Sequence, residues 1–317
     1  MMLNQQSTVY CELSIIVVSY NTREMTQECL QSIYTNAGEV SLEVIVVDNN
    51  SQDGSVEMLA AQFPHVHLVK NRENRGFAAA NNQGLAVAQG EYILLLNSDT
   101  ISLGNVLVES VRYLESNLKV GAMGCQVLNF DRTIQATCSG FPTLLRLLIM
   151  TLALDRIPFF PILDTYLLRS WPRDNERDVE VISGCFLMAR REVIERIGGL
   201  DEQFFFFAEE TDWCRRILQD GWKLMFSPVG KIIHHGGGSV KKLNHNRDVM
   251  LTVATVRLHR KYGGNLSAVA AYLILMAFNF SRALLWNLTA LVNPSHRKRA
   301  NHFINVVRSY WECWPTR

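Results

Sequence analysis

Four short clusters are the places where this chain could do chemistry. Asn97-Ser98-Asp99-Thr100 follows the apolar run Leu94-Leu95-Leu96. Residues two apart on an extended chain point the same way, so Asn97 and Asp99 could both face a Mg2+ or Mn2+ ion that bridges a diphosphate. Asp99 is the firm charged ligand of the two. His234 and His235 close another apolar stretch and precede three glycines. An imidazole there suits a metal or a diphosphate, and glycines let the backbone approach phosphate oxygens; an ordinary pair of turn histidines is the alternative. Asp48 opens the polar run 48–55 and could accept from a base N–H or a ribose hydroxyl, or simply form a turn. Glu209-Glu210-Thr211-Asp212 follows four phenylalanines, Phe204 to Phe207. Acids at a helix start stabilise its dipole, but carboxyls beside that much apolar surface should also have raised pKa values, as a general base requires.

A fifth group is less specific. Asn74-Arg75-Gly76-Phe77 and Asn81-Asn82 surround a helix start. Arg75 and the first N–H groups of that helix could meet a diphosphate, or the segment could be a capped surface helix.

These clusters need elements to position them. Leu13–Ser19 reads as a buried strand, and Asn21-Thr22 as the start of a helix over Arg23–Thr35. Strands follow at 40–47, 66–70 and 92–96, with helices at Ser55–Gln62 and 76–88. Such alternation implies right-handed βαβ units, hence an α/β fold with a mostly parallel central sheet and helices on both faces. Ligands then sit beyond the carboxyl ends of the strands. Three of those ends carry Ser19-Tyr20-Asn21, the 48–55 run and Asn97 to Thr100. In the second half, 178–190 reads as a strand with Ser183-Gly184 at a bulge or close approach. Arg191–Ile197 is a short helix, and another runs from the acidic cluster to near Gly221. Residues 222–227 and 231–239 read as two further strands, the last entering a glycine-rich turn.

The 317 residues are 48% hydrophobic, enough for one large domain or a domain with an appendage. With 31 basic and 30 acidic residues there is no global positive field, which argues against a nucleic-acid partner. Seven cysteines, an odd number without a Cys-x-x-Cys pair, indicate neither a disulfide framework nor a zinc ribbon, and favour a reducing, cytoplasmic setting. The polar start before Leu13 does not look like a signal peptide.

In order along the chain stand VVSYN (17–21), VVDNNSQDGS (46–55), NRGFAAANNQG (74–84), LLLNSDT (94–100), SGCFLMARREV (183–193), GGLDEQFFFFAEETDW (198–213) and HHGGGS (234–239). Together they resemble the family 2 glycosyltransferases of GT-A fold, in particular the rhamnosyltransferase-like branch of bacterial polysaccharide synthesis. The resemblance covers residues 13–240. It implies a catalytic domain over 1–244 and a helical C-terminal extension over 245–317. It implies transfer of a sugar from a nucleotide-diphospho-sugar (a dTDP- or UDP-sugar) to a hydroxyl of a glycan or polyprenyl-linked acceptor, with inversion and with Mg2+ or Mn2+. Asp48 would bind the nucleoside beside the Ser19-Tyr20 backbone. Asn21, Asn50, Asn74, Arg75, Gly76, Asn81, Asn97 and Ser98 would complete the donor site. Asp99 and His234 would hold the metal. Ser183, Gly184 and Phe207 would meet the acceptor, bordered by 131–142 and Trp171-Pro172. By register Glu210 is the base, with Glu209 and Asp212 as alternatives, because the family often has Glu-Asp where this chain has Glu209-Glu210. A non-catalytic nucleotide-sugar-binding scaffold and a nucleotidyltransferase are the competing classes. The second would call for a glycine-rich loop after the first strand, where Ser19 to Arg23 has none.

Residues 262–281 carry no charge and 268–278 are strongly apolar. A spanning helix needs ~20 mostly apolar residues. Gly263, Gly264, Asn265 and Asn279 interrupt this one, Arg282 follows, and basic residues flank both sides. An interfacial helix or helical hairpin on the inner face of the plasma membrane is expected over a span. A helix packed on the catalytic domain and a dimer interface are the alternatives.

Overall fold

The computed structural model describes residues 11–157, 163–236 and 245–315. In chain order its strands are β1 (Leu13–Ser19), β2 (Leu42–Asp48), β3 (His67–Lys70), β4 (Tyr92–Asn97), β5 (Thr100–Leu103), β6 (Val120–Leu128), β7 (Arg177–Asp178), β8 (Phe186–Arg190) and β9 (Lys223–His234). The main helices are α1 (Arg23–Thr35), α2 (Ser55–Gln62), α3 (Gly76–Val87), α4 (Val106–Ser116), α5 (Leu144–Thr151), α6 (Arg191–Ile197), α7 (Glu209–Gln219), α8 (Asn246–Val292) and α9 (Arg297–Arg308). The strands form one sheet in the order β3-β2-β1-β4-β8-β6-β9-β5, with β7 on β9. The ladder from β3 to β4 is parallel, as is β6 on β9, while β8 runs antiparallel to both of its neighbours. By paired residues the sheet is mostly parallel, as the alternation of elements predicts.

The period-two pattern explains the two-sided burial. Leu13, Ile15 and Val17 of β1, with Val44, Val46, Leu94 and Leu96, build one core under α1, α2 and α4. Ile16, Ile45, Val47, Ile93 and Leu95 point the other way and join Trp213, Cys214 and Ile217 of α7. A strand apolar on both faces needs helices on both faces. All seven cysteines are free, and Cys11 alone is not buried.

The parallel register sets the site. Ser19 lies opposite Asp48, and Val18 opposite Asn97, so three strands end at nearly one level.

The second half differs from the sequence reading. The expected strand over 178–190 is two short pieces. Arg177–Asp178 pairs with β9, and Phe186–Arg190 pairs with β4 and β6. Residues 179–185 lie between, tied by an isolated bridge from Val181 to Ser139. Conversely, the strands expected at 222–227 and 231–239 are one strand, β9. It passes Pro228 through an irregularity: Gly124 faces Phe226, then Gln126 faces Lys231. Proline cannot donate to the ladder, and such an excursion accommodates it. Positions 237–239 of the glycine-rich turn lie outside the described residues. β5, α4, β6 and α5 had no expectation. β6 is buried along its length, yet Gly121, Gly124 and Gln126 interrupt its apolar pattern.

The C-terminal extension is helical, as expected. α8 breaks at Gly264 (φ 70°, ψ −170°). Its first half packs on the catalytic domain through Ala254 and Leu258. Beyond the break, Ala268, Ala271, Tyr272 and Leu275 pack with Leu147 of α5, Val306 of α9 and Tyr310.

Candidate active site

Asp48 ends β2 and is 2% exposed. Its Oδ2 accepts from the Ser51 N–H at 3.0 Å, while buried Oδ1 makes no hydrogen bond to a described residue. A buried oxygen without a donor is costly unless a ligand supplies one. Asn21 (φ 54°) and Asn50 (φ 70°) take the left-handed backbone that Asn tolerates. The Asn21 side-chain oxygen accepts from the Gln52 N–H at 2.8 Å, and the Asn21 N–H donates to Ser51 Oγ at 3.0 Å. These bonds knit the β1 and β2 loops together. Tyr20 is 37% exposed at their edge.

Ser19 and Ser98 turn inward. Ser19 Oγ lies 3.0 Å from Thr26 Oγ1, and Ser98 Oγ lies 3.0 Å from Thr22 Oγ1. Their hydroxyls bolt the ends of β1 and β4 to α1, so these two side chains are engaged within the protein.

The start of α3 corrects the expectation of an anion site there. The Arg75 N–H donates to Asn49 Oδ1, the Gly76 N–H to Asn74 Oδ1, and the Phe77 N–H to the Phe205 carbonyl at 2.8 Å. Protein groups thus occupy these three donors, which an anion would have needed. Asn49 holds the arrangement: its amide nitrogen donates to Asn74 Oδ1 and the Gly76 carbonyl, and its oxygen accepts from Asn71. The Arg75 side chain is half-exposed, 3.9 Å from Glu202. Asn81 is buried. It donates to the Phe77 carbonyl, and its Oδ1 has no described partner.

Asp99 and His234, 135 residues apart in sequence, meet because β5 pairs with β9 and Thr100 faces His234. His234 Nε2 lies 3.2 Å from Asp99 Oδ1 and 3.3 Å from Asn97 Nδ2. Its Nδ1 lies 2.7 Å from Gln135 Oε1. An oxygen acceptor there requires Nδ1–H, which in the neutral ring leaves a lone pair on Nε2. With Nε2 unprotonated, that nitrogen and the Asp99 carboxylate could share a cation; with Nε2 protonated, they form an ion pair. Their separation is close to the ~3 Å between adjacent ligands of an octahedral Mg2+ or Mn2+ ion. Among the described residues no group of three or more His, Cys, Asp or Glu could hold a metal, so the protein offers at most two such ligands here. Gln135 orients His234 and was not legible in the sequence, because it lies outside every motif.

The acidic cluster follows a strained turn. Phe207 (φ 70°) and Ala208 (φ 67°) are consecutive left-handed residues without being glycine. Such conformations cost of order 1–3 kcal/mol each and persist only where the surroundings hold them. Burial pushes the Glu209 carboxyl well above the usual carboxylate range, and the Glu210 charge adds to this. Burial raises Glu210 as well. One carboxylate oxygen of each makes no hydrogen bond to a described residue. Asp212 differs. It is fully buried, and its oxygens meet Arg216 Nε at 2.9 Å, Lys261 Nζ at 2.5 Å and the Tyr262 hydroxyl at 2.7 Å. All its charge is spent on holding helices together.

Gly184 connects the two halves of the site. A side chain there would contact Phe77 and stand 3.9 Å from Glu210 Cβ. The next carbonyl, of Cys185, accepts from the Asn97 N–H at 3.3 Å. Ser183 is half-buried beside them. Phe207 lies edge-on to Phe206 and under Arg247. Trp171 does not border this cleft; it is buried against Phe226 with ring centroids 4.7 Å apart.

Residues 14–198 match the family model of glycosyl transferase family 2. The chain belongs to this family. It is 25% identical over 235 residues to N-acetylglucosaminyl-diphospho-decaprenol L-rhamnosyltransferase of Mycobacterium tuberculosis, which covers 70% of this chain and 76% of that protein. It is 26% identical over 238 residues to the O-antigen biosynthesis protein RfbC of Myxococcus xanthus, covering 72% of this chain and 18% of that one. These relatives agree with the rhamnosyltransferase-like motifs. The mannosyltransferase PcManGT from Pyrobaculum calidifontis, solved with GDP-Man and Mn2+, superposes with a TM-score of 0.57 at 20% identity, covering 98% of this chain and 87% of that one. GalNAc-T7, solved with UDP, GalNAc and Mn2+, gives 0.54 at 13% identity, covering 82% of this chain and 54% of that one. The fold is GT-A, and the protein is a glycosyltransferase.

Gly76, at the start of α3, has a backbone that admits no side chain. Its φ is 83°, and a Cβ would stand 2.5 Å from the Phe205 carbonyl oxygen. Gly76→Ala should lower the unfolding free energy by about 1–3 kcal/mol in urea melts. An unchanged midpoint would refute the role given to this contact.

Proposed function

We propose that the protein is an inverting glycosyltransferase that moves a sugar from a nucleotide-diphospho-sugar to a hydroxyl of a polyprenyl-linked glycan acceptor. The observation that carries this is that Gly184, next to the Cys185 carbonyl that accepts from the Asn97 N–H, lies beside Cβ of Glu210, so the Glu210 residue and the shelf of Asn97, Asp99 and His234 adjoin one short segment. Asp48 receives the nucleoside with its unpaired oxygen, next to the Ser19-Tyr20 backbone, Asn21 and Asn50. Asp99 and His234 hold a divalent cation, Mg2+ or Mn2+, with Asn97 beside them. Such an ion neutralises charge on the leaving diphosphate. Glu210 takes the proton of the acceptor hydroxyl as that oxygen attacks the anomeric carbon opposite the nucleotide. Single displacement inverts that centre. Its raised pKa brings Glu210 closer to the operating pH, which suits a general base. Glu209 lies deeper, and Asp212 is already neutralised by cations, so Glu210 is the preferred base. Ser183, Gly184 and Phe207 flank the acceptor.

The donor and acceptor follow the named relatives. A nucleotide-diphospho-rhamnose, dTDP-linked or UDP-linked, is the first donor to screen, because the mycobacterial relative is a rhamnosyltransferase whose acceptor is N-acetylglucosaminyl-diphospho-decaprenol. A lipid-linked acceptor places the enzyme on the cytoplasmic face of the membrane.

The extension supports that location. Beyond Gly264, Leu273, Met276, Phe280, Leu284, Leu285, Leu288 and Leu291 are exposed, alongside Leu145 and Leu148 of α5. A patch this apolar marks a partner or a membrane. Between Asp248 and Glu312 there are eight Lys and Arg and no Asp or Glu, which suits an anionic bilayer and disfavours a second copy of the same surface. α8 is long and apolar enough to span by length and composition. Arg282 lies within the segment, however, and donates to the Thr151 carbonyl of α5. We therefore favour a helix lying in the interface.

Three outcomes are expected. Glu210→Gln should bind donor normally and lose about 10²–10⁴-fold in turnover; near-normal turnover sinks the base assignment. Calorimetry should show that Asp99→Ala abolishes the Mn2+ dependence of donor binding, and unchanged affinity with and without Mn2+ would reject the metal site. Full-length protein should float with phosphatidylglycerol liposomes and be released by salt. Its absence from the floating fraction would remove the membrane reading.

A further inference from the structure

The segment that delivers Glu209 and Glu210 is gripped on both sides by the first half of α8. Upstream, Arg257 donates to the Gln203 carbonyl, and Lys261 Nζ lies 2.7 Å from Asp201 Oδ2. In the middle, Phe204 and Ala208 pack against Ala254 and Leu258, with Tyr262 at the edge. Downstream, Lys261 Nζ and the Tyr262 hydroxyl both hold Asp212 Oδ1, two residues past Glu210. Arg215 of α7 stacks on the Tyr262 ring, 3.9 Å from its centroid. One lysine therefore bridges Asp201 and Asp212, and the two left-handed residues lie inside the span it closes. The opposite side is fixed by the Phe205 carbonyl on the Phe77 N–H.

We infer that the first half of α8 is a splint for the catalytic turn, and that Lys261 and Tyr262 are positioning residues for the transfer step. Neither touches the reacting atoms. They act through Asp212 and Asp201, which fix the turn at 207–208 in a backbone conformation it would not adopt alone. Removing one cation from a buried carboxylate leaves charge uncompensated and loosens whatever that carboxylate anchors. The family match ends at residue 198, so both the carboxyl-bearing segment and its splint lie beyond it. The extension is then part of the catalytic unit. The inference rests on the assignment of Glu210 as base.

The test compares Lys261→Ala, Lys261→Arg and Tyr262→Phe with Glu210→Gln, all in the full chain. Turnover, donor affinity by calorimetry with Mn2+, and amide hydrogen exchange over 201–212 are measured. A misplacement of about 1 Å costs about 10²-fold in rate. Lys261→Ala should lose about that in kcat, keep its donor affinity, and exchange faster over 201–212, with Lys261→Arg recovering most of the loss. Glu210 is faced by Glu209, Tyr166 and Cys214, and nearby Asp212 by Lys261, Arg216 and Tyr262. Loosening admits water to the Glu210 carboxyl, so the acid limb of the kcat profile should also move to lower pH. Wild-type kcat and unchanged exchange in Lys261→Ala overturn the inference, as does a loss of activity matched only by the unfolded fraction. Should Lys261→Ala fail to fold, Tyr262→Phe, which removes a single hydroxyl, carries the same comparison. Normal turnover in Glu210→Gln instead overturns the base assignment, and the exchange data still decide whether α8 restrains the turn.

Discussion

The level ending of β1, β2 and β4 is the constraint on which the rest of this site depends. Parallel pairing places Ser19 beside Asp48 and Val18 beside Asn97, so each strand releases its loop on the same edge. The loops are then locked by short polar bonds. Asn49 reaches Asn74, Gly76 and Asn71, and Thr22 reaches Ser98. Much of the polar sequence at these ends serves to hold the loops rather than to bind a ligand. Ser19, Ser98, Asn74 and the first amides of α3 are examples. The buried Asp48 Oδ1 is left without a hydrogen bond to a described residue.

The second half of the sheet completes the site with β8 running against β4 and β9 running with β4. β8 enters antiparallel beside β4 and carries Gly184 and Cys185 to the Asn97 loop. β9 returns beside β6 and β5 and brings His234 to Asp99. A proton acceptor must be dry to have a raised pKa, whereas a cation site needs oxygen ligands and access for a diphosphate. Glu209 and Glu210 follow the phenylalanine segment and are held at raised pKa by burial, while the Asp99–His234 pair lies at the strand ends.

The extension has two faces with different work. Its first half grips the turn before Glu209 through ion pairs and small apolar residues. Its second half, beyond Gly264, turns leucines outward over an acid-free, basic stretch. Strain at Phe207 and Ala208 is tolerable because α7, α3 and α8 hold it from three sides. A strained catalytic turn held by tertiary contacts is what a site with fixed geometry requires.

Local patterning by itself determined the βαβ half. Continuous β-branched and leucine runs, helices between them, and polar residues at each strand end are all written within short windows, so β1, α1, α2 and β4 were legible almost to the residue. The ordered motifs also determined the family and named Asp48, Asp99, His234 and Glu210. Tertiary structure alone decided which polar residues face inward, because a hydroxyl such as Ser19 or Ser98 reads the same in either role. It decided that Asp212 is a counter-ion, since Lys261 and Tyr262 reach it from 49 and 50 positions away. It decided that Lys223–His234 is one strand and that 178–190 is two pieces, because the pairing partners lie far off in the chain. Hydrogen bonds between distant segments leave no pattern in the sequence, whereas burial of a strand on both faces leaves a continuous apolar run.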